Sequence, residues 1–371
     1  MQIPVALVAT GAVIYQKKRR GEGSQTEMRY ESYPSAQDQS LQLFAGFHLP
    51  QVPSPLAIYM HGWHGSVKDG SRDKIRQLVM GIEDTYLWVE PEMRGRGKSA
   101  GTPDANGWEL QDVIDAVQFA QRQYPDHSQH PDIVYLLGGS GGGGNVYSLI
   151  GKFPDFFSAA VCFCGISDYA AWYEEDQVGE FRDELEVWIG GDPGSRQEAY
   201  ASRSGITLVE NLLTPLLIVH GTGDLRVPVE QADQYMRRAA RAGKESLVEL
   251  VELQGVGSQD HLEHLSQQQQ TWLQAMISKH LRSHNSRPQL PLAGRFIVAG
   301  YLQTRCFGII FDDIDRVGRV EYTLSENGCV KDLYVESDQA HGVTVTIPAH
   351  LALPSIKVGG SIQAVRFCRR Q

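Results

Sequence analysis

From about residue 40 onward, short apolar runs alternate with stretches of helical period, the pattern of a chain that lays strands side by side and crosses back through helices. Leu56–Met60, Tyr86–Val89, Ile133–Leu137, Ala159–Phe163, Leu216–Val219 and Leu247–Leu253 are the strand candidates. Most are continuous apolar runs, as parallel strands buried on both faces must be. Leu110, Val113, Ile114, Val117 and Ala120 recur at helical spacing, so their helix lays one face on the sheet. A further helix is predicted over about Leu265–Leu281. The expected class is α/β, a mostly parallel sheet flanked by helices.

Two stretches break this rhythm. Between Asp168 and Leu213 the chain holds Trp172, Tyr173, Phe181, Trp188 and several acidic residues, and it falls between two strands. An insertion there lies above the C-terminal strand ends, where open α/β sheets bind ligands, so a small helical cap is expected. After the polar Ser283–Pro288 the remaining chain carries only short strands: Phe296–Val298, Cys306–Phe311, Val320–Leu324, Val330–Val335, Val343–Ile347 and Ile362–Phe367. Turn residues separate them, Asn327-Gly328 being a hairpin signal. This reads as a C-terminal all-β domain, a small sandwich or barrel. The boundaries expected are 1–39 for an N-terminal segment, 40–283 for the α/β unit with its insertion at 168–213, and 289–371 for the β-sandwich-like unit.

Ile3–Tyr15 is mostly apolar and Lys17–Arg20 follows it directly. A secretion signal places its charge before the apolar run, and a bilayer span needs roughly 18–20 apolar residues. A leading strand or hairpin is therefore expected, with a short membrane anchor as the alternative and the cytoplasm as the default compartment. Composition adds an exclusion: 34 Lys and Arg against 44 Asp and Glu give a net charge of −10. That argues against nucleic acid or an anionic membrane as the main partner. The five cysteines include no Cys-x-x-Cys pair. Cys162 and Cys164 read as one face of a buried strand, and reduced thiols are expected, with a disulfide among Cys306, Cys329 and Cys368 as the alternative.

Chemistry enters at Gly138-Gly139-Ser140-Gly141-Gly142, which fits Gly-x-Ser-x-Gly directly after a predicted strand and before a predicted helix. The tight turn strains the serine backbone and presents its hydroxyl at the helix N-terminus. Gly143 and Gly144 cost the helix roughly 1 kcal/mol each relative to alanine, so close packing on the neighbouring strand must require them. A phosphate-cradling loop is disfavoured, since the Lys-Ser/Thr of a P-loop is absent. A serine nucleophile needs a histidine to take its proton and a carboxylate to orient that histidine, in the chain order Ser, Asp, His. The strand Leu216–Val219 runs into a loop ending at Asp224, the expected acid. After the last strand, Asp260 and His261 stand in a loop and His264 begins the next helix; His261 is the expected base and His264 the alternative. Asp260 is disfavoured as acid because its side chain points away from that of its neighbour. The oxyanion of an acyl transfer needs two backbone N–H groups. Gly141 is expected to supply one and Trp63, in the loop Met60–Gly65, the other, with Gly62 as its fallback. His61 and His64 form a His-x-x-His pair, but no third ligand is placed beside them, so no metal and no cofactor are expected. His64, Trp172, Tyr173 and Trp188 are the candidate pocket residues.

The chain from about Leu56 to Leu281 resembles the catalytic domain of the prolyl oligopeptidase family and its single-domain esterase relatives. The resemblance rests on His61-Gly62, on Glu92-x-Arg94-Gly95-x-Gly97-x-Ser99-x-Gly101, on the helix holding Asp112, on the Gly138–Gly142 elbow and on His220-Gly221-x-x-Asp224-x-x-Val227-Pro228. It implies the α/β-hydrolase fold, with Ser140 as nucleophile, Asp224 as acid and the histidine after the last strand as base. It also implies a structural role for Arg94. The sequence departs from the family where a Gly-His-Gly is usual, having Gln259-Asp260-His261-Leu262, and where a Ser-Pro is common, having Ser202-Arg203-Ser204-Gly205. Nor does a gating β-propeller precede the matched part, so selection falls to the cap or the β domain. The expected activity is a serine hydrolase working through an acyl-enzyme, first on a small or carbohydrate-linked ester and alternatively on short peptides. A binding protein on a hydrolase scaffold is the third reading, and self-association through the β domain is a further expectation.

Overall fold

The computed structural model describes residues 27–67, 73–82, 85–176, 179–337, 342–348, 352–360 and 364–370, the last two by their backbone alone. The apolar Ile3–Tyr15, the basic Lys17–Arg20 and the side chain of Cys368 lie outside this description. β1 (Glu27–Pro34), β2 (Gln42–Leu49), β3 (Leu56–Met60), α1 (Lys74–Met80), β4 (Leu87–Glu92), α2 (Glu109–Gln123), β5 (Val134–Gly139), α3 (Gly141–Lys152) and β6 (Ala159–Phe163) come first. α4 (Tyr169–Glu175), α5 (Arg182–Ile189), α6 (Gln197–Arg203), β7 (Leu216–Gly221), α7 (Glu230–Arg241), β8 (Val248–Leu253) and α8 (Gln267–Ser283) follow.

Strand order in the first sheet is β1-β2-β4-β3-β5-β6-β7-β8. β1 and β2 pair antiparallel at one edge, and every pair from β4 to β8 is parallel. Each residue of β3, β5, β6 and β7 is buried, the consequence of helices on both faces. α2, α3 and α7 cover one face, where Leu110, Val113, Val146, Tyr147 and Tyr235 join the strand residues. α1 and α8 cover the other through Ile75, Leu78, Leu273, Ile277 and Leu281. The chain leaves β3 for β4 on one side and returns to β5 on the other, which opens a crevice between the β3 and β5 ends. This is the α/β-hydrolase fold. Among the described residues no helix is long and apolar enough to cross a membrane.

α1 is fixed by polar bonds as well. Asp73 accepts the Arg76 amide at 3.0 Å and the Tyr59 hydroxyl at 2.6 Å, tying the helix to β3. Arg76 clamps the buried Glu90 of β4 through two bonds of 2.5 and 2.7 Å, and His48 of β2 meets the same carboxylate.

The C-terminal strands are β9 (Ala293–Ala299), β10 (Tyr301–Gln303), β11 (Gly308–Phe311), β12 (Val317–Leu324), β13 (Val330–Ser337), β14 (Gly342–Pro348), β15 (Ala352–Gly360) and β16 (Ala364–Arg370). They form one hydrogen-bonded sheet in the order β15-β13-β12-β9-β10-β11-β14-β16. Phe296, Val298, Ile309, Val320, Leu333 and Val345 gather in its core. Cys306 and Cys329 are free thiols.

This sheet docks on the α/β unit through Tyr301, which is 1% exposed. Its ring stacks on Trp108 at 4.9 Å, its hydroxyl donates to the Gly107 carbonyl at 3.1 Å, and Lys152 lies 4.5 Å over its face. Lys152 ends α3, is fully buried, and donates to the Ala299 carbonyl. Burial lowers its pKa well below the usual lysine range. Asn211 brackets the Ile297 backbone with bonds of 2.8 and 2.7 Å.

Two consequences are measurable. Tyr301→Ala should cost about 3–5 kcal/mol in urea unfolding, the range for emptying a large aromatic site. Burial acts to raise the Glu90 pKa, but the Arg76 and His48 bonds outweigh it and hold the carboxyl at about 2. A carboxyl depressed in the folded state stabilises above its unfolded pKa, about 4.3, and loses that contribution as pH falls toward the folded value. Stability should therefore drop by about 2.4 kcal/mol more between pH 4.5 and 2 in the parent than in Glu90→Gln, read as unfolding midpoints.

Candidate active site

Ser140 follows β5 directly and adopts φ 57° and ψ −123°, a backbone that residues with a Cβ rarely take. Neighbouring bonds hold it there: its amide donates to the Phe163 carbonyl at 2.9 Å, and its carbonyl accepts from Gly144 at 3.0 Å. The turn works only without side chains nearby. A Cβ on Gly142 would lie 2.2 Å from the Met60 carbonyl oxygen. Gly143 packs on the end of β6 and its loop, as its small size requires, whereas Gly144 makes room for the Tyr169 hydroxyl of α4 rather than for a strand.

Asp224 and His261 leave the ends of adjacent parallel strands, β7 and β8. Their loops bond to each other, Gly223 to Val256 at 2.9 Å and Leu225 to Ser258 at 2.8 Å. His261 Nδ1 lies 2.6 Å from Asp224 Oδ2, while Asp224 Oδ1 accepts the Arg226 and Val227 amides at 3.0 Å each. Burial pushes the Asp224 pKa up, but the His261 bond and charge, with the Val227 amide, outweigh it and hold the carboxyl below its usual range. His220, fully buried, bonds the Val227 carbonyl at 2.8 Å, and burial keeps its pKa low.

The alternative histidine is placed differently from its expectation. His264 stands in the turn before α8, with φ 68°, and is exposed. α8 begins only at Gln267, behind a capping box on Ser266 that the Ser266–Gln269 pair announces. Asp260 faces Lys74 at 2.7 Å, away from His261.

The β3 loop lies against the elbow. A Cβ on Gly62 would stand 3.8 Å from Ser140 Oγ, and one on Gly141 would fall 2.3 Å from the Trp63 ring. Gly141 and Trp63 are thus brought together beside Ser140. The Trp63 indole is also the hub of the cap core: it stacks on Tyr169 at 5.5 Å and meets Trp172, Phe181 and Trp188 edge-on at 5.6, 6.1 and 4.8 Å.

Not all the expected pocket residues line one. Trp172 is 1% exposed and donates its indole N–H to the Arg226 carbonyl at 2.6 Å, so it is core. Tyr173 turns to Tyr200, Arg182 and Glu186 instead of Trp63. Trp188 is half-buried between Trp63 and Arg96, whose guanidinium lies 4.6 Å over its ring. His64 is exposed, bonded to Glu184 at 2.9 Å and stacked on Phe181. Helical spacing cannot separate the two faces of an aromatic cap, which is why core and pocket residues looked alike in sequence.

Arg94 clamps the buried Asp112 with two bonds of 2.7 Å, below the site and clear of it. Cys164 was the residue that sequence patterning misplaced. It lies one position past β6 with φ 46° and joins the opposite core from Cys162, so the two do not share a strand face. Among the described residues, Cys164, Asp224 and His261 form the one cluster with metal-ligand geometry, their ligand atoms lying within 4.8 Å of one another. His61 and His64 belong to no such cluster.

An oriented imidazole and a serine on a strained elbow are parts of an acyl-transfer site. The model of the prolyl oligopeptidase family matches residues 82–280. An uncharacterized peptidase of Bacillus subtilis (strain 168) is 32% identical over 196 residues, covering 52% of this chain and 29% of the relative. The acylamino-acid-releasing enzyme of Arabidopsis thaliana is 29% identical over 203 residues, covering 52% and 26%. This chain therefore spans under a third of the length of either. Among solved structures, the acylaminoacyl peptidase of Pyrococcus horikoshii superposes with TM-score 0.58 at 19% identity, over 73% of this chain and 43% of that one. An esterase of Pyrococcus furiosus superposes with TM-score 0.53 at 16% identity, over 70% and 94%. At such identities the structural likeness speaks for the fold alone.

Replacing the two tryptophans should separate core from pocket. Trp172→Ala is expected to cost about 3–5 kcal/mol in urea unfolding, whereas Trp188→Ala should cost less and bear on substrate affinity.

Proposed function

This chain belongs to the prolyl oligopeptidase family, and from that premise we propose that it is a serine peptidase acting on short peptides through an acyl-enzyme. The observation that carries the reading is the 2.6 Å bond from His261 to Asp224, at the same C-terminal strand ends that carry the Ser140 elbow. Ser140 Oγ attacks the scissile carbonyl carbon while His261 Nε2 takes its proton. Asp224 fixes the tautomer of the imidazole and stabilises the cation that forms. The Gly141 and Trp63 amides receive the oxyanion, where fixed dipoles act without reorganising. His261 returns the proton to the leaving amine, and water then releases the acyl group with the same histidine as base.

The names of the relatives favour a peptide bond over the ester expected from sequence. Peptidases dominate them, and two kinds of relative are named for releasing acylated amino acids. N-acylated short peptides are accordingly the first substrates to try. The ester reading is supported by the likeness to the Pyrococcus furiosus esterase, which matches this chain over most of its own length. Both bonds are open to the same nucleophile.

Assays of the pure protein on acylaminoacyl anilides beside nitrophenyl acyl esters should give anilide turnover comparable to ester turnover. Hydrolysis of esters with no detectable anilide cleavage contradicts the peptidase assignment. Ser140→Ala and Asp224→Asn should each lower kcat by about 10⁴-fold while leaving the unfolding transition in place.

A further inference from the structure

Cys164 is an unexpected neighbour for a serine hydrolase site. The β6 strand ends at Phe163, and the next residue turns into the left-handed region at φ 46°. A residue with a Cβ holds that conformation only when its surroundings enforce it. Here the Cys164 amide is bonded to the Val219 carbonyl at 3.0 Å, and the side chain is fully buried. The turn delivers the thiol to Asp224 and His261, with all three ligand atoms inside 4.8 Å.

We propose that Cys164, Asp224 and His261 form a binding site for a soft divalent cation of the zinc and cadmium class, and that its occupation switches the enzyme off. Thiolate, imidazole and carboxylate are the donors zinc prefers, and three protein ligands leave a fourth position for water. The His261–Asp224 spacing is that of a hydrogen bond rather than of two ligands on one ion. Ligand atoms around a tetrahedral zinc stand about 3.3–3.7 Å apart, given bonds of 2.0–2.3 Å, against the 2.6 Å between His261 and Asp224. Filling the site opens that bond by roughly 1 Å, so the cation competes with the arrangement catalysis uses. His261, the most exposed of the three, is on the entry side.

The step balances without a redox partner. The Cys164 S–H bond breaks, its proton leaves to solvent, and a sulfur–metal bond forms. The proton on His261 Nδ1 moves to Nε2 by exchange with water as Nδ1 takes the metal. Nε2 then carries a hydrogen and cannot accept one from Ser140, which is the cause of the inhibition. Burial, reinforced by the Asp224 charge, raises the Cys164 pKa well above the usual thiol range. A bound cation reverses the electrostatic part of that effect.

Inhibition rests on the hydrolase reading, whereas binding does not, and the test reads them separately. The full-length protein, stripped with EDTA, is titrated with Zn²⁺ while hydrolysis is followed. It is also titrated with Cd²⁺ while the ultraviolet cadmium–thiolate absorbance is recorded. Zn²⁺ should inhibit the parent, and EDTA should restore the rate. Each variant is scaled to its own metal-free rate. Cys164→Ser should raise the half-inhibiting Zn²⁺ concentration at least ten-fold and remove the Cd²⁺ band, and Cys164→Ala serves if the serine variant does not fold. Cys162→Ser, altered at the buried thiol of the opposite core, should keep both. His261→Ala should lose the band whatever its activity. An unchanged half-inhibiting concentration in the Cys164 variants overturns the proposal, as does a parent without a Cys164-dependent Cd²⁺ band. A parent that shows the band but hydrolyses nothing leaves the metal site standing and contradicts the peptidase reading instead.

Discussion

The hydrogen bond between His261 and Asp224 crosses from one loop to another, and much of the local structure exists to keep those loops in register. Adjacent parallel strands bring the two residues to the same sheet edge. Backbone bonds from Gly223 and Leu225 to the partner loop then lock the pair. The Asp224 carboxylate is buried, and burial alone disfavours its charge. It stays ionised because two amides and the imidazole meet its oxygens. A charged acceptor makes the strongest bond to an imidazole N–H, so the orientation of His261 follows from how the acid is held. On the proposed mechanism, that orientation is what separates Ser140 from an ordinary alcohol on a strained turn.

Trp63 joins this chemistry to the cap. It directly follows Gly62, which faces Ser140, and its indole lies against Gly141 and packs with Tyr169, Trp172, Phe181 and Trp188. Disturbance of the cap core therefore reaches the loop after β3 through one residue. The C-terminal sheet braces the same region. Arg203, buried at the end of α6, pairs with Asp315 at 2.7 Å and bonds the Asp104 carbonyl at 3.0 Å. Its own carbonyl accepts from Asn106 and from Ser148 of the nucleophile helix, each at 2.9 Å. The cap, α3 and the C-terminal β unit meet on that residue, which makes the C-terminal sheet part of the site's support.

What the sequence made legible was whatever depends on local order. Ser140 is marked by glycines that a tight strand–helix turn needs, and Asp224 by an apolar strand running into a short loop. His261 was distinguishable from His264 only by where α8 starts, and the capping box at Ser266 sets that start at Gln267, three residues after His264. The rest depends on long-range geometry. Trp172 and Trp188 both fall in the aromatic, acidic cap segment, yet one is core and the other half-buried, because the cap folds around Trp63 from a distant loop. Cys164 was read as a strand residue since Phe163 and Cys164 give no local sign that the backbone reverses between them. The substrate was the least legible feature, because an acyl-transfer site fits an ester and a peptide bond alike.

The central claim is that one hydroxyl, at position 140, is chemically distinct from every other serine in the chain. A fluorophosphonate, applied at stoichiometric amounts to the folded protein and mapped by peptide mass spectrometry, addresses it directly. The account predicts a single adduct on the peptide containing Ser140, abolished by prior unfolding. An adduct on another residue, or a folded protein that takes up no label, contradicts it.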